Sequence, residues 1–302
     1  MDLNLIGIGI VTGLGLGSIY VLVALGYTLI LAASGVFNFA QGALVSLGAV
    51  LAYTLGVTHG LPVVPVVAIV ILAGVLIGMI SELLAIRVFV HRPESLTHEA
   101  LVSTLGLGLA ITAAVEIFFG AEQETVPSYV SNDAITLADV PIRPIYIVMV
   151  LVAAALTFLL DRFMMRTDLG LVLRALISDR EGASLLGINP ARVIVAAFAT
   201  AGALACLAGY MVAPVTSASV FVGDRFALFG FAAMAIGGYG SFRGAVAGGL
   251  IVGLISGLTP VWFDAALAQP LVFLALVMVL VIRPTGLFGT EGQFGSAQLR
   301  EV

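Results

Sequence analysis

The chain has 302 residues, of which 61% are hydrophobic and only 10% charged, and its mean hydropathy is +1.20. A soluble domain carries about 25% charged residues, whereas no Asp, Glu, Lys or Arg occurs between Leu3 and Ser81, which excludes a fold surrounded by water. The net charge of −5, with no basic stripe and few interleaved aromatics, excludes nucleic acid as a partner and leaves membrane lipid.

A hydrocarbon core is crossed by roughly 20 apolar residues in a helix. In chain order, the apolar runs predict helices at 5–33, 40–58, 63–87, 99–119, 144–161, 192–213, 226–239, 244–261 and 265–282. The first run is longer than one span needs, so a tilt or break is expected there, and the seventh is short. The expected fold is an all-α integral membrane protein, a polytopic bundle of 8–10 transmembrane helices forming one domain over 1–302. Met1-Asp2 has no basic region before the first run, so no cleavable leader is expected.

Charge placement orients the bundle. All twelve basic residues are arginine. With nine spans, the joints holding Arg87, Arg92, Arg162, Arg166, Arg174, Arg180, Arg192, Arg243, Arg283 and Arg300 fall on one side. Arg143 and Arg225 fall opposite, among Glu122, Glu124, Asp133, Asp139, Asp224 and Asp264. The positive-inside rule then puts the N-terminus outside and the C-terminus in the cytoplasm. The two sizeable polar segments, 120–143 and 162–192, become the extracytoplasmic loop and the cytoplasmic segment.

Several chemistries are missing. Without lysine the chain cannot build a P-loop, so no nucleotide cofactor is expected in it. Gly13-x-Gly15-x-Gly17 and Gly106-x-Gly108 lack the final glycine of a dinucleotide fingerprint and lie in apolar helices. His59, His91 and His98 fit no metal spacing, and the lone Cys206 reads as a small core residue. Glu82 and Glu116 lie near helix ends, where structural or snorkelling roles compete with a functional one. Gly9, Gly13, Gly17 and Gly249, Gly253, Gly257 recur every four residues, which suits close helix packing or a glycine-lined solute path.

Asn38, Phe39 and Gln41 interrupt this uncharged stretch with two carboxamides. They read either as a plain turn, with Asn38 capping the second span, or as part of an inner gate or solute path.

The segment from Thr167 to Pro190 is the most informative. Ser178-x-x-Glu181 has the form of a capping box, and Asp179 and Glu181 complement a helix dipole. Gly187 suits the left-handed residue after a helix, and Asn189-Pro190 caps and starts the next. A short helix over 179–186 is predicted, too short to stand alone. Ala183, Leu185 and Leu186 would present an apolar surface that another protein covers, or that folds back on this chain.

Glu181-Gly182-Ala183-x-x-x-Gly187 resembles the E-A-A-x-x-x-G loop of ABC importer permeases, with glycine in place of the first alanine. Gly17 to Gly26, Gly35 to Gly42, Gly170 to Asn189, Ile236 to Ser241 with Gly244, and Arg283-Pro284-x-Gly286-Leu287-Phe288-Gly289 are similar to the branched-chain amino acid permeases, the LivH-type subunit in particular. One departure is Ala43, where many members carry an acidic residue.

The resemblance implies a non-catalytic permease subunit of the bacterial inner membrane. It would pair with a second related permease, sit on two cytoplasmic P-loop ATPase subunits that hold ATP and magnesium, and receive solute from an extracytoplasmic binding protein. Ser178, Asp179, Arg180, Glu181, Ala183, Leu185, Leu186 and Gly187 would then form the cytoplasmic coupling helix. Branched-chain or related amino acids, or amides, are the expected solutes. A secondary carrier or channel for small polar solutes is the alternative, and an intramembrane enzyme is poorly supported.

Overall fold

The computed structural model describes residues 3–87, 96–131, 133–137, 140–178 and 180–289. Among these, eight helical segments are long and apolar enough to cross a membrane: Asn4–Ser34, Gln41–Thr58, Val63–Ile86, Glu99–Phe119, Pro144–Arg166, Pro190–Thr216, Phe242–Trp262 and Ala265–Ile282. They correspond to eight of the nine expected spans. The ninth, expected at 226–239, is a 16-residue helix over Val222–Gly237, about 24 Å long and so shorter than a hydrocarbon core.

The helices are α1 (Leu3–Ser34), α2 (Gln41–Tyr53), α3 (Val63–Ser81), α4 (Leu96–Phe119), α5 (Pro144–Arg166), α6 (Asp168–Ser178), α7 (Arg180–Leu185), α8 (Pro190–Thr216), α9 (Val222–Gly237), α10 (Phe242–Trp262) and α11 (Ala268–Ile282). Short π-helical turns extend α2 to Thr58 and α3 to Ile86, and a two-stranded hairpin, β1 (Ile135–Leu137) and β2 (Val140–Ile142), precedes α5. The expected break in the first run is absent: α1 is one continuous 32-residue helix. Arg162, Arg166 and Arg192, expected in joints, lie inside α5 and α8.

α1 forms the axis, and its residues from Ile19 to Leu25 are buried. The face where α1 begins carries β2, whose Val140 meets Gly7, and an antiparallel bridge between Glu124 and Ala218. The face where α1 ends carries α6 and α7, whose Leu173, Leu176 and Ala183 share a buried cluster with Leu29, Ile30 and Ala33. The two polar segments therefore sit at opposite ends of the bundle.

Glycine sets the closest contacts. A Cβ on Gly13 would stand 2.8 Å from the Gly253 carbonyl oxygen, and one on Gly17 3.2 Å from Gly253 Cα. No side chain fits there, so α1 and α10 meet backbone to backbone. Gly202 of α8 faces Gly74 and Gly78 of α3 in the same way. The parallel extends to the helices between. α1 leads through an irregular segment to α2, and α8 leads through another to α9. Gly42 near the start of α2 and Gly223 near the start of α9 lie against each other. The units α1–α2–α3 and α8–α9–α10 thus repeat one arrangement with opposite direction, the inverted-repeat plan of many transport proteins.

Candidate functional site

Both irregular segments lead the chain back into the bundle. Gln41 opens α2 against Gly26, two turns before α1 ends, and its Nε2 donates to the Ala201 carbonyl in mid-α8 at 3.2 Å. The chain has therefore come back inward between Ser34 and Gln41. Such a return leaves backbone groups off any helix, and at this depth protein must satisfy them. Thr104 of α4 does so: Phe39 N donates to its Oγ1 at 3.3 Å, and that hydroxyl lies 3.4 Å from the Phe37 carbonyl. Asn38 Oδ1 accepts from Ala40 N at 3.1 Å, closing the turn that leads into α2.

The three residues singled out here separate. Asn38 and Gln41 are fully buried, while Phe39 is partly open to the surface. Asn38 Nδ2 and Gln41 Oε1 have no hydrogen-bond partner among the described residues.

The second return follows α8. Ser217 takes a left-handed backbone (φ 89°), Ala218 pairs with Glu124, and the chain re-enters to begin α9 at Val222. Tyr20, near the middle of the 32-residue α1, packs its ring against Phe226 at 5.5 Å and Phe229 at 5.2 Å. The first turn of α9 is therefore near mid-depth. This corrects the expectation that Asp224 and Arg225 lie in a loop on the opposite side from most arginines. They are helical, deep, and exposed on the surface of the single chain. Their charge mimics a loop in sequence, because charge marks loops only when it faces bulk water.

The α6–α7 elbow forms the second feature. The polar segment holds two helices where one was predicted, α6 over Asp168–Ser178 and α7 over Arg180–Leu185. Ser178 is the last residue of α6. Asp179 and the side chains of Ser178, Arg180 and Glu181 lie outside the described residues, and the capping box with them. Gly187 has φ 84°, and Ile188 N donates to the Ala183 carbonyl at 3.1 Å, the long bond of a Schellman stop. Asn189 Oδ1 then accepts from Ala191 N at 3.0 Å, with Pro190 opening α8.

The side chains of α7 divide. Ala183 is buried in the cluster that contains Val193, Ile194 and Ala197 of α8. Leu185 and Leu186 are 90% and 84% exposed. The elbow is held on α8 by its inner face and presents two leucines outward. Glu82 and Glu116 also part ways. Glu116 is exposed, but Glu82 is buried, with neither carboxylate oxygen hydrogen-bonded among the described residues.

The chain matches known proteins over most of its length. The family model described as "Branched-chain amino acid transport system / permease component" matches residues 9–282. The high-affinity branched-chain amino acid transport system permease protein LivH of Escherichia coli K12 is 30% identical over 292 residues, covering 92% of this chain and 93% of its own. BraD of Pseudomonas aeruginosa, of the same description, is 28% identical over 290 residues, covering 93% and 94%. The ribose import permease protein RbsC of Haemophilus influenzae is 25% identical over 283 residues, covering 91% and 84%. No solved structure matches the chain.

Proposed function

Because the chain belongs to the branched-chain amino acid transport permease family, we propose that it is the membrane-spanning subunit of an ATP-driven importer for branched-chain or related amino acids. It lies in the bacterial inner membrane with its N-terminus outside. It pairs with a second permease, takes solute from an extracytoplasmic binding protein, and performs no covalent chemistry on it. Two cytoplasmic ATPase subunits hold ATP and magnesium and drive the cycle.

The observation that carries this reading is the elbow. Leu185 and Leu186 stand outward at the end of the bundle where α6 and α7 lie. An exposed leucine pair on a short helix wants a protein cover, and an ATPase groove supplies one. Residues 178–187 are then the coupling helix.

The packing suggests how motion passes inward. α7 runs into α8 through the Schellman stop at Gly187, and Ala183 is buried in the same apolar cluster as Val193, Ile194 and Ala197 of α8. In mid-α8 the Ala201 carbonyl holds Gln41, and Leu44 O accepts from Cys206 Sγ at 3.1 Å. A push on α7 therefore reaches the start of α2, where α9 also begins. Closure of the ATPases tilts these elements together and opens the path alternately to either side.

Liposomes carrying the permease pair decide the matter. Leucine uptake requires both ATPase subunits and ATP. Uptake by the permeases alone, driven by an ion gradient, refutes the reading.

A further inference from the structure

Asp224 and Arg225 lie side by side in the first turn of α9 near mid-depth, exposed, and neither makes an ion pair among the described residues. With Phe221 and Leu228, also exposed, they form one face of that helix. Charged side chains at such depth are costly against lipid and mark a water-filled path or a protein partner. α2, which the inverted repeat makes the counterpart of α9, is buried on every side from Gln41 to Ala52. The open charged face therefore belongs to α9 alone.

The chemistry of this face matches one class of solute. Arg225 sits with its guanidinium carbon 5.4 Å from the centroid of the Phe229 ring, which steadies it and leaves its N–H donors for an anion. The nearby N-terminus of α9 favours the same negative charge. Asp224 rests against the start of α2, its Oδ1 3.5 Å from where a Cβ on Gly42 would lie. It offers a carboxylate to a cation. The two charges of opposite sign, on adjacent residues, complement a molecule that carries an ammonium and a carboxylate on one carbon. Phe221 and Leu228 add apolar surface on either side.

We propose that Asp224 and Arg225 form a transient subsite in the translocation path for the zwitterionic head of an α-amino acid. Arg225 holds the α-carboxylate, Asp224 the ammonium, and Phe221 and Leu228 the aliphatic side chain. The subsite rests on the importer reading. It places the contact with solute on α9, whereas the sequence directed attention to Asn38, Phe39 and Gln41, two of which are buried.

The test uses the transporter assembled with its ATPase and binding-protein partners in membrane vesicles. Native Cys206 is fully buried and gives little background to a membrane-impermeant, charged methanethiosulfonate. Leu228→Cys and Asp224→Cys are expected to react with it, and saturating leucine with loaded binding protein to slow that reaction. Asp224→Asn and Arg225→Gln are expected to cut leucine moved per ATP hydrolysed about tenfold or more, as losing one partner of a close charge pair does. Stimulation of the ATPase by loaded binding protein should persist. If the aspartate variants fail to assemble, Leu228→Cys alone decides. A thiol there that resists the reagent from both sides means that lipid or the second permease covers this face, and overturns the subsite. So does wild-type coupling in both charge variants. Uptake that survives an ATPase-dead partner refutes the importer reading instead, and the labelling result still judges the subsite.

Discussion

Ser46 and Gly223, 177 positions apart, are joined by a hydrogen bond in which Gly223 N donates to Ser46 Oγ over 2.9 Å. The donor is one of the first-turn amides that a helix cannot satisfy by itself. The acceptor lies near the start of the opposing short helix. This bond ties the two halves of the inverted repeat where both helices begin.

Ser46→Ala removes the acceptor and leaves that buried amide unpaired. The cost is about 1–3 kcal/mol, with a fall in Tm of roughly 2–4 °C for each kcal/mol in a chain of this size class. Thermal unfolding of the purified permease in detergent reads it. An unchanged Tm means that the crossing is held by packing alone.

Gly223→Val tests that packing. A Cβ there would overlap the Gly42 carbonyl and stand 2.7 Å from Ser46 N, both fixed backbone. Gly202→Val meets Gly74 in the same manner. Both variants should fail to reach the membrane as monodisperse protein. Gly56→Ala, with nothing within 4 Å, should behave as wild type. Size-exclusion profiles of the three compare them directly, and a normal profile for Gly202→Val refutes the close approach of α3 and α8.

Leu186→Asp places a charge on the outward side of the elbow, 84% exposed in the free chain. Insertion and fold should persist. Binding of the ATPase, or coupled transport, should drop about tenfold or more, at least the 1.4 kcal/mol that a tenfold change represents. Ala183→Asp, on the buried side, should instead destabilise the permease itself. Equal coupling in Leu186→Asp and wild type removes the elbow from the mechanism.

Thr104→Val keeps shape and deletes the hydroxyl that serves the backbone of Phe37 and Phe39. The return segment before α2 should loosen by about 1–3 kcal/mol. Amide hydrogen exchange at Phe39 should speed up while the body of α1 stays protected. Unaltered exchange shows that another group already serves this amide.

Much of the elbow was legible because its signals are local. Gly187 needs a left-handed backbone, and Asn189 and Pro190 start a helix wherever they stand together. The extra helix α6 was missed because Arg174, in line with Arg162, Arg166, Arg180 and Arg192, read as part of a charged joint. Leu173 and Leu176, three apart and both buried, carried the helical spacing. Phe39 and its neighbours were noticed for polarity, which does not distinguish buried Asn38 and Gln41 from a group that faces a path.

By itself the sequence determined that this protein crosses the membrane many times, where most spans lie, and where α7 stops. Run length, hydropathy and capping chemistry act within a few residues. Only the tertiary structure decided that α2 and α9 begin inside the bundle, that their glycines meet, and that Asp224 and Arg225 face outward from near its middle. An apolar residue is equally content against lipid or against another helix, so hydropathy cannot report depth or facing. Those depend on backbones brought together from opposite ends of the chain.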